Sequence, residues 1–145
     1  MYEAYTRQAL PEQHYRELLG TALCVFNSNN AFVIENILRN DPSNSFSWYD
    51  LMDLESGRLK SSIQATISSK CGDSIENLFS ELVFKRNRII HSFQITEKGT
   101  GNQILSTKEK QQNGGRQFVI TEGFLMDFIK DNERLCDMLH AFRGF

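Results

Sequence analysis

Ile75-Glu76-Asn77-Leu78-Phe79-Ser80-Glu81-Leu82-Val83-Phe84-Lys85-Arg86-Asn87-Arg88-Ile89-Ile90-His91 repeats apolar side chains at steps of three and four, the mark of a helix with one buried stripe. Ile75, Leu78, Phe79, Leu82, Ile89 and Ile90, with Phe93 just beyond, form that stripe, and Arg86 falls inside it. An unpaired guanidinium among apolar neighbours costs several kcal/mol of desolvation. Something must compensate Arg86, and the run Phe84–His91 is the place where the sequence shows chemistry.

Toward the N-terminus of this helix, Asp73 followed by Glu76 reads as a capping box, and Gly72 as a left-handed C-terminal cap on the helix before it. That earlier helix opens at Ser47 with Asp50, a second capping box. It carries Trp48, Leu51, Met52, Leu59, Ile63 and Ile67 on one stripe to about Lys70, loosened at Gly57. Asp41-Pro42-Ser43-Asn44-Ser45 is a loop, because the residue before proline avoids the helical region and the rest are turn formers.

Met1–Leu10 is a polar, Tyr-containing lead-in, and Pro11 suits the first turn of a helix, where its missing N–H is no loss. From Tyr15 the stripe Leu18, Leu19, Ala22, Leu23, Phe26, Val33, Ile37 and Leu38 keeps its phase across Asn27-Ser28-Asn29-Asn30. Asparagine and serine are poor helix formers, since their side chains compete for backbone hydrogen bonds. The retained phase favours one long helix over a break, with the asparagine seam read as a solvent or loop feature and, second, as a source of polar groups near a site.

On the C-terminal side the period changes from helical to alternating. Phe93, Ile95, Ile104, Phe118 and Ile120 alternate with polar residues around Gly99-Thr100-Gly101 and Asn113-Gly114-Gly115, predicting a small antiparallel hairpin or meander over about residues 93–120. Its Lys98, Lys108, Lys110 and Arg116, set against Glu97 and Glu109, are a mild basic excess that reads first as a solvated loop and second as an RNA-backbone contact. A last helix starts at Thr121, carries Phe124, Leu125, Phe128, Ile129, Leu135, Met138, Leu139 and Phe142, and stops at Gly144. The expected fold is mainly α: a four-helix up-and-down bundle with a small β-hairpin or meander inserted before the last helix, in one domain spanning 1–145.

Composition agrees with a folded domain. The chain has 145 residues, 40% apolar and 23% charged, with two prolines. A net charge of −2 excludes binding of nucleic acid through overall positive charge, though not through a local patch. Cys24, Cys71 and Cys136 are odd in number and lack a CxxC spacing, which fits reduced thiols in the cytoplasm. His14 and His140 have no ligand partners at metal spacing and read as surface or satisfied residues; Trp48 and the phenylalanines read as core. Neither an N-terminal export signal nor an apolar run long enough for a bilayer is visible, so the protein is expected to stay in the cytoplasm.

At about 100° per residue, Arg86 sits at the centre of the apolar stripe and His91 about 140° away. On the opposite face Asn77, Ser80, Phe84, Asn87, Arg88 and His91 fall together, a polar surface with one aromatic that suits a cleft or a partner helix. Asn87 and His91 are i and i+4 neighbours, placing the amide to fix the imidazole tautomer. Taken singly, Arg86 reads as a buried arginine paired with Glu35, Asp53 or Glu81, and His91 as a helix C-terminal residue on the dipole. Together, with Asn87 between them, they read as a site.

Arg86-Asn87-Arg88-Ile89-Ile90-His91 resembles the R-x4-6-H motif of the HEPN superfamily, small helical-bundle proteins many of which are ribonuclease toxins. The motif lies late in a bundle helix, Asn follows the Arg, and the helices over about 11–94 and 121–143 match the family plan. The resemblance implies a homodimer whose motif helices face each other across a cleft, each contributing an Arg and a His. It implies metal-independent, cofactor-free cleavage of RNA, in which the 2′-hydroxyl attacks the phosphodiester to leave a cyclic phosphate and a 5′-hydroxyl.

His91 would act as general acid or base, a role suited to a side chain whose ordinary pKa, about 6.5, puts both protonation states within reach. Arg86 would stabilise charge on the phosphorane oxygens. Asn87 would orient His91 or a phosphate, and Lys85 and Arg88 would hold the RNA backbone. A cognate antitoxin protein is a further partner the family suggests. In many members a nucleotidyltransferase antitoxin modifies a Tyr two residues after the His; here that position is Phe93, whose ring has no hydroxyl to modify. The alternative is a catalytically silent dimer that binds a nucleotide, RNA or a partner protein.

Overall fold

Helix α1 (Gln13–Arg39) runs unbroken through the asparagine seam in the computed structural model, which describes residues 2–144. The seam is a solvent feature only in part: Asn27 and Ser28 are exposed, Asn29 and Asn30 turn inward. Asn29 is buried, and its Nδ2 donates to the carbonyl (2.7 Å) and the Oδ1 (3.0 Å) of Asn132, whose own Nδ2 donates to the Phe128 carbonyl at 2.9 Å. Burial of these amides is tolerated because each donor has an acceptor. Next to it, Asn30 Oδ1 accepts from Ser56 Oγ at 2.7 Å.

The single helix expected from Ser47 to Lys70 is divided. Helix α2 (Trp48–Asp53) is capped by Ser47 Oγ, which accepts from the Asp50 N–H at 3.2 Å, but the chain turns extended at Leu54. A 3-10 turn (Ser56–Leu59) leads into α3 (Lys60–Ile63), a π-helical turn (Gln64–Ser68) and α4 (Ser69–Cys71). The wider π turn holds Ile63 and Ile67 in the core together with Leu59. Only Leu51 of α2 is buried; Trp48, expected in the core, is 36% exposed and Tyr49 81%, because a six-residue helix at the edge offers one face to the interior.

Gly72 ends this segment at φ +85°, a conformation that glycine adopts without strain. Helix α5 (Ser74–Ile90) follows. Its expected capping box is not formed: Asp73 makes no side-chain cap bond, and Glu76 is buried, accepting from Gln64 Nε2 (2.9 Å) and Ser68 Oγ (3.0 Å). The carboxylate thus ties α5 to the π turn instead of to its own helix start.

Strands β1 (Phe93–Thr96), β2 (Gln103–Lys108) and β3 (Gln117–Ile120) form the expected antiparallel meander, with Ile95 opposite Ile104 and Leu105 opposite Ile120. Tyr15 fastens the sheet to α1: its hydroxyl donates to the Ile120 carbonyl at 2.6 Å and accepts from the Leu105 N–H at 3.1 Å. Helix α6 (Glu122–Arg143) starts at Thr121, whose Oγ1 accepts from the Phe124 N–H at 3.0 Å, and ends at Gly144 with φ +93°.

The chain is therefore mainly helical with a small three-stranded antiparallel sheet. At its heart three rings meet, one from each long helix: Phe26 of α1 stacks on Phe79 of α5 (6.1 Å between centroids) and on Phe128 of α6 (6.2 Å). Among the described residues no helix is long and apolar enough to cross a membrane, and the three cysteines are free.

Candidate functional site in the last turns of helix α5

Arg86 lies where the stripe places it, half-buried with its guanidinium carbon 5.0 Å from the centroid of the Phe26 ring. The compensation is the face of an aromatic ring, whose quadrupole attracts a cation. It is not one of the carboxylates expected: Glu35 pairs with Arg143 at 3.5 Å, and among the described residues no carboxylate lies within ion-pair distance of Arg86. Burial lowers the Arg86 pKa from its ordinary value, partly opposed by the more distant charge of Glu55. The Nε is buried without a hydrogen-bond partner. Arg86 is thus a partly desolvated cation with donor capacity to spare.

His91 closes α5 and is exposed. Its backbone N–H donates to the Asn87 carbonyl at 2.9 Å, the last turn of the helix. The expected side-chain bond between the Asn87 amide and the imidazole is not formed among the described residues. Asn87 instead faces a cleft. Arg86 turns inward onto Phe26 and His91 outward to solvent, so within one chain the two side chains remain on the separate faces that helical geometry assigns them.

The two residues expected to hold an RNA backbone are already engaged. Lys85 Nζ pairs with Asp131 Oδ2 of α6 at 3.5 Å. Arg88, placed on the polar face that suits a cleft or a partner helix, is only 6% exposed and donates through Nη1 to the Lys108 carbonyl. Helical geometry places Arg88 relative to the bundle alone; strand β2 folds back beside it and buries Arg88, while Asn77, Ser80, Phe84 and His91 of the same face stay exposed. Arg88 is a clasp between helix and sheet. Arg88→Ala, which removes a buried charged donor and its bond to the Lys108 carbonyl, is expected to lower unfolding stability by about 1.5–3 kcal/mol, read by urea denaturation.

Beside these residues the turn Ser56–Leu59 and α5 enclose a cleft of about 270 Å³, lined by Ser56, Gly57, Lys60, Phe79, Ser80, Val83, Phe84 and Asn87. No family model, curated protein or solved structure matches the chain. What the site can do follows from its residues. A ring-backed guanidinium suits an oxyanion, an exposed imidazole suits proton transfer, and the cleft offers an aromatic edge with polar groups. Sequence reasoning missed Ser56 and Lys60, which carry no motif; the glycine at 57 was the one sign that this segment bends.

Proposed function

We propose that the protein is a metal-independent endoribonuclease of the HEPN toxin or defence type, acting in the cytoplasm as a homodimer with a composite Arg86/His91 site. The observation that carries this reading is the state of Arg86: half-buried, backed by Phe26, outside ion-pair distance of any carboxylate among the described residues, and little more than a turn from an exposed histidine whose side chain has no hydrogen bond or ion pair among them. A cation left in that condition is poised for an anion brought from outside. The four-helix plan, with residues 56–71 as an interrupted second member, and a cognate antitoxin belong to the same reading.

In this mechanism one imidazole of the dimer accepts the proton of the RNA 2′-hydroxyl as its oxygen bonds to phosphorus. The Arg86 guanidinium donates to the charged phosphorane oxygens, the P–O5′ bond breaks, and the second imidazole, protonated, gives its proton to the leaving 5′ oxygen. The products are a 2′,3′-cyclic phosphate and a 5′-hydroxyl. Purified protein is expected to cut single-stranded RNA with EDTA present and to leave those termini. The engagement of Lys85 and Arg88 within the fold favours a second reading, a silent dimer, in which RNA binds in a salt-dependent way and stays uncut.

Arg86→Met keeps the apolar stem and removes the charge. It is expected to reduce cleavage about 10²–10³-fold, the usual loss on deleting one transition-state donor. Its melting temperature is expected to stay about level, because the attraction of the guanidinium to the Phe26 ring is offset by the cost of desolvating a half-buried charge. A sharp fall in melting temperature would mark Arg86 as structural.

A further inference from the structure

We propose that the cleft between the Ser56–Leu59 turn and α5 is a nucleobase pocket for single-stranded RNA, with the Phe84 ring as stacking platform and the Asn87 amide reading the base edge. The proposal deepens the ribonuclease reading and rests on its choice of RNA.

Phe84 stands on the outer side of α5, 39% exposed, at the cleft formed with Lys60, Ser80 and Asn87 over Val83 and Phe79, so one edge of its ring is open to a ligand. Ser80 and Asn87 flank it at one helical turn on either side, on the same strip of the helix. Lys60 closes the cleft from α3. Among the described residues the side chains of Lys60, Ser80 and Asn87 have neither a hydrogen bond nor an ion pair, whereas nearby Ser56 is tied to Asn30 (2.7 Å) and Lys85 to Asp131 (3.5 Å). One exposed ring, one amide, one hydroxyl and one ammonium therefore converge on a single opening with their capacity unspent.

Gly57 keeps that opening clear. Its φ lies outside the left-handed region, and a Cβ there would meet only Val83 Cγ1 at an ordinary 3.7 Å, so the backbone does not require glycine. What glycine leaves is room on the floor of the cleft.

The ligand chemistry follows. A flat heteroaromatic slides against the Phe84 ring; an amide pairs a donor and an acceptor with a base edge, as Asn does in reading adenine. An ammonium at the mouth meets the adjoining phosphate. The base must be unpaired and splayed out, which is the condition of single-stranded RNA. Asn87 follows Arg86 in sequence and precedes His91 by one turn, so a base seated here lies at the end of α5 where the scissile phosphate is proposed to sit.

The test measures binding on uncut RNA, using His91→Ala protein and fluorescence anisotropy with octamers of U, of C and of A, and an octamer of abasic ribose phosphate. Phe84→Ala is expected to weaken the base-bearing octamers about tenfold or more and to leave the abasic one within about twofold, since stacking on an aromatic needs a base. Phe84→Trp in a Trp48→Phe background should restore affinity, with indole emission quenched on binding, while Phe84→Leu should not. Failure of the parent to bind any octamer overturns the pocket, as does a Phe84→Ala effect that is absent or equal on abasic RNA. Cleavage by the unmutated protein with binding indifferent to Phe84 removes the pocket and keeps the nuclease. Phe84-dependent, base-dependent binding of RNA that the unmutated protein leaves intact keeps the pocket and removes the nuclease.

Discussion

His91→Ala is expected to lower the rate of RNA cleavage by about 10²–10⁴-fold, the usual contribution of a positioned general acid or base, while its melting curve overlays that of the parent. The separation is possible because His91 contributes chemistry without packing. Its side chain is exposed and has no hydrogen bond among the described residues, and its 2.9 Å bond to the Asn87 carbonyl is made by the backbone, which alanine retains. What the fold loses is at most the contact of an exposed ring at the helix C-terminus. The check is paired: cleavage of labelled single-stranded RNA in EDTA, and thermal melting by circular dichroism. Cleavage that survives the substitution ends the assignment of His91. Lost cleavage with a lowered melting temperature would assign the residue to the fold.

How far the sequence could carry this result depended on the distance between partners. Helix α1 was legible across four helix-poor residues because Phe26 and Val33 keep the phase of one stripe, and burial depends on that phase. The role of Asn29 was not, since its amide pairs with Asn132, 103 positions further along the chain. Ser47, Thr121 and Gly144 were read correctly as helix ends, being local signals satisfied within one turn. Glu76 carried the same kind of local signal and was misread, because Gln64 and Ser68 of the π turn offer its buried carboxylate two donors where its own helix start offers fewer.

Position on a helix also predicts less than it suggests where another element arrives from outside. Arg86 sits in the stripe as expected, yet its compensation is the ring of Phe26 and not a carboxylate. Arg88 points away from the stripe and is nevertheless buried, because the end of β2 packs against it at Lys108. The cleft at Lys60 and Phe84 was half legible. The polar strip Ser80, Phe84, Asn87 follows from helical periodicity, but its opposite wall depends on the break at residues 54–59, which an otherwise helical run of apolar residues conceals.

Phe26→Ala is expected to cost about 3–5 kcal/mol of unfolding stability, a large part of the roughly 5–15 kcal/mol that holds a domain of this kind together. Phe26 is 1% exposed and touches the rings of Phe79 and Phe128, so its removal opens a cavity where three helices meet, and none of them can close it without losing its own contacts. Chemical denaturation followed by circular dichroism measures the loss. Phe26→Leu separates packing from electrostatics. It keeps most of the buried volume, yet removes the ring face on which the Arg86 guanidinium rests at 5.0 Å. Combined with Arg86→Met in a double-mutant cycle, it is expected to show a coupling of about 0.5–2 kcal/mol. A coupling of zero would mean that Phe26 packs the core without holding the charge. A finite one makes the same ring both the keystone of the three-helix core and the support that keeps Arg86 desolvated and free for an incoming phosphate.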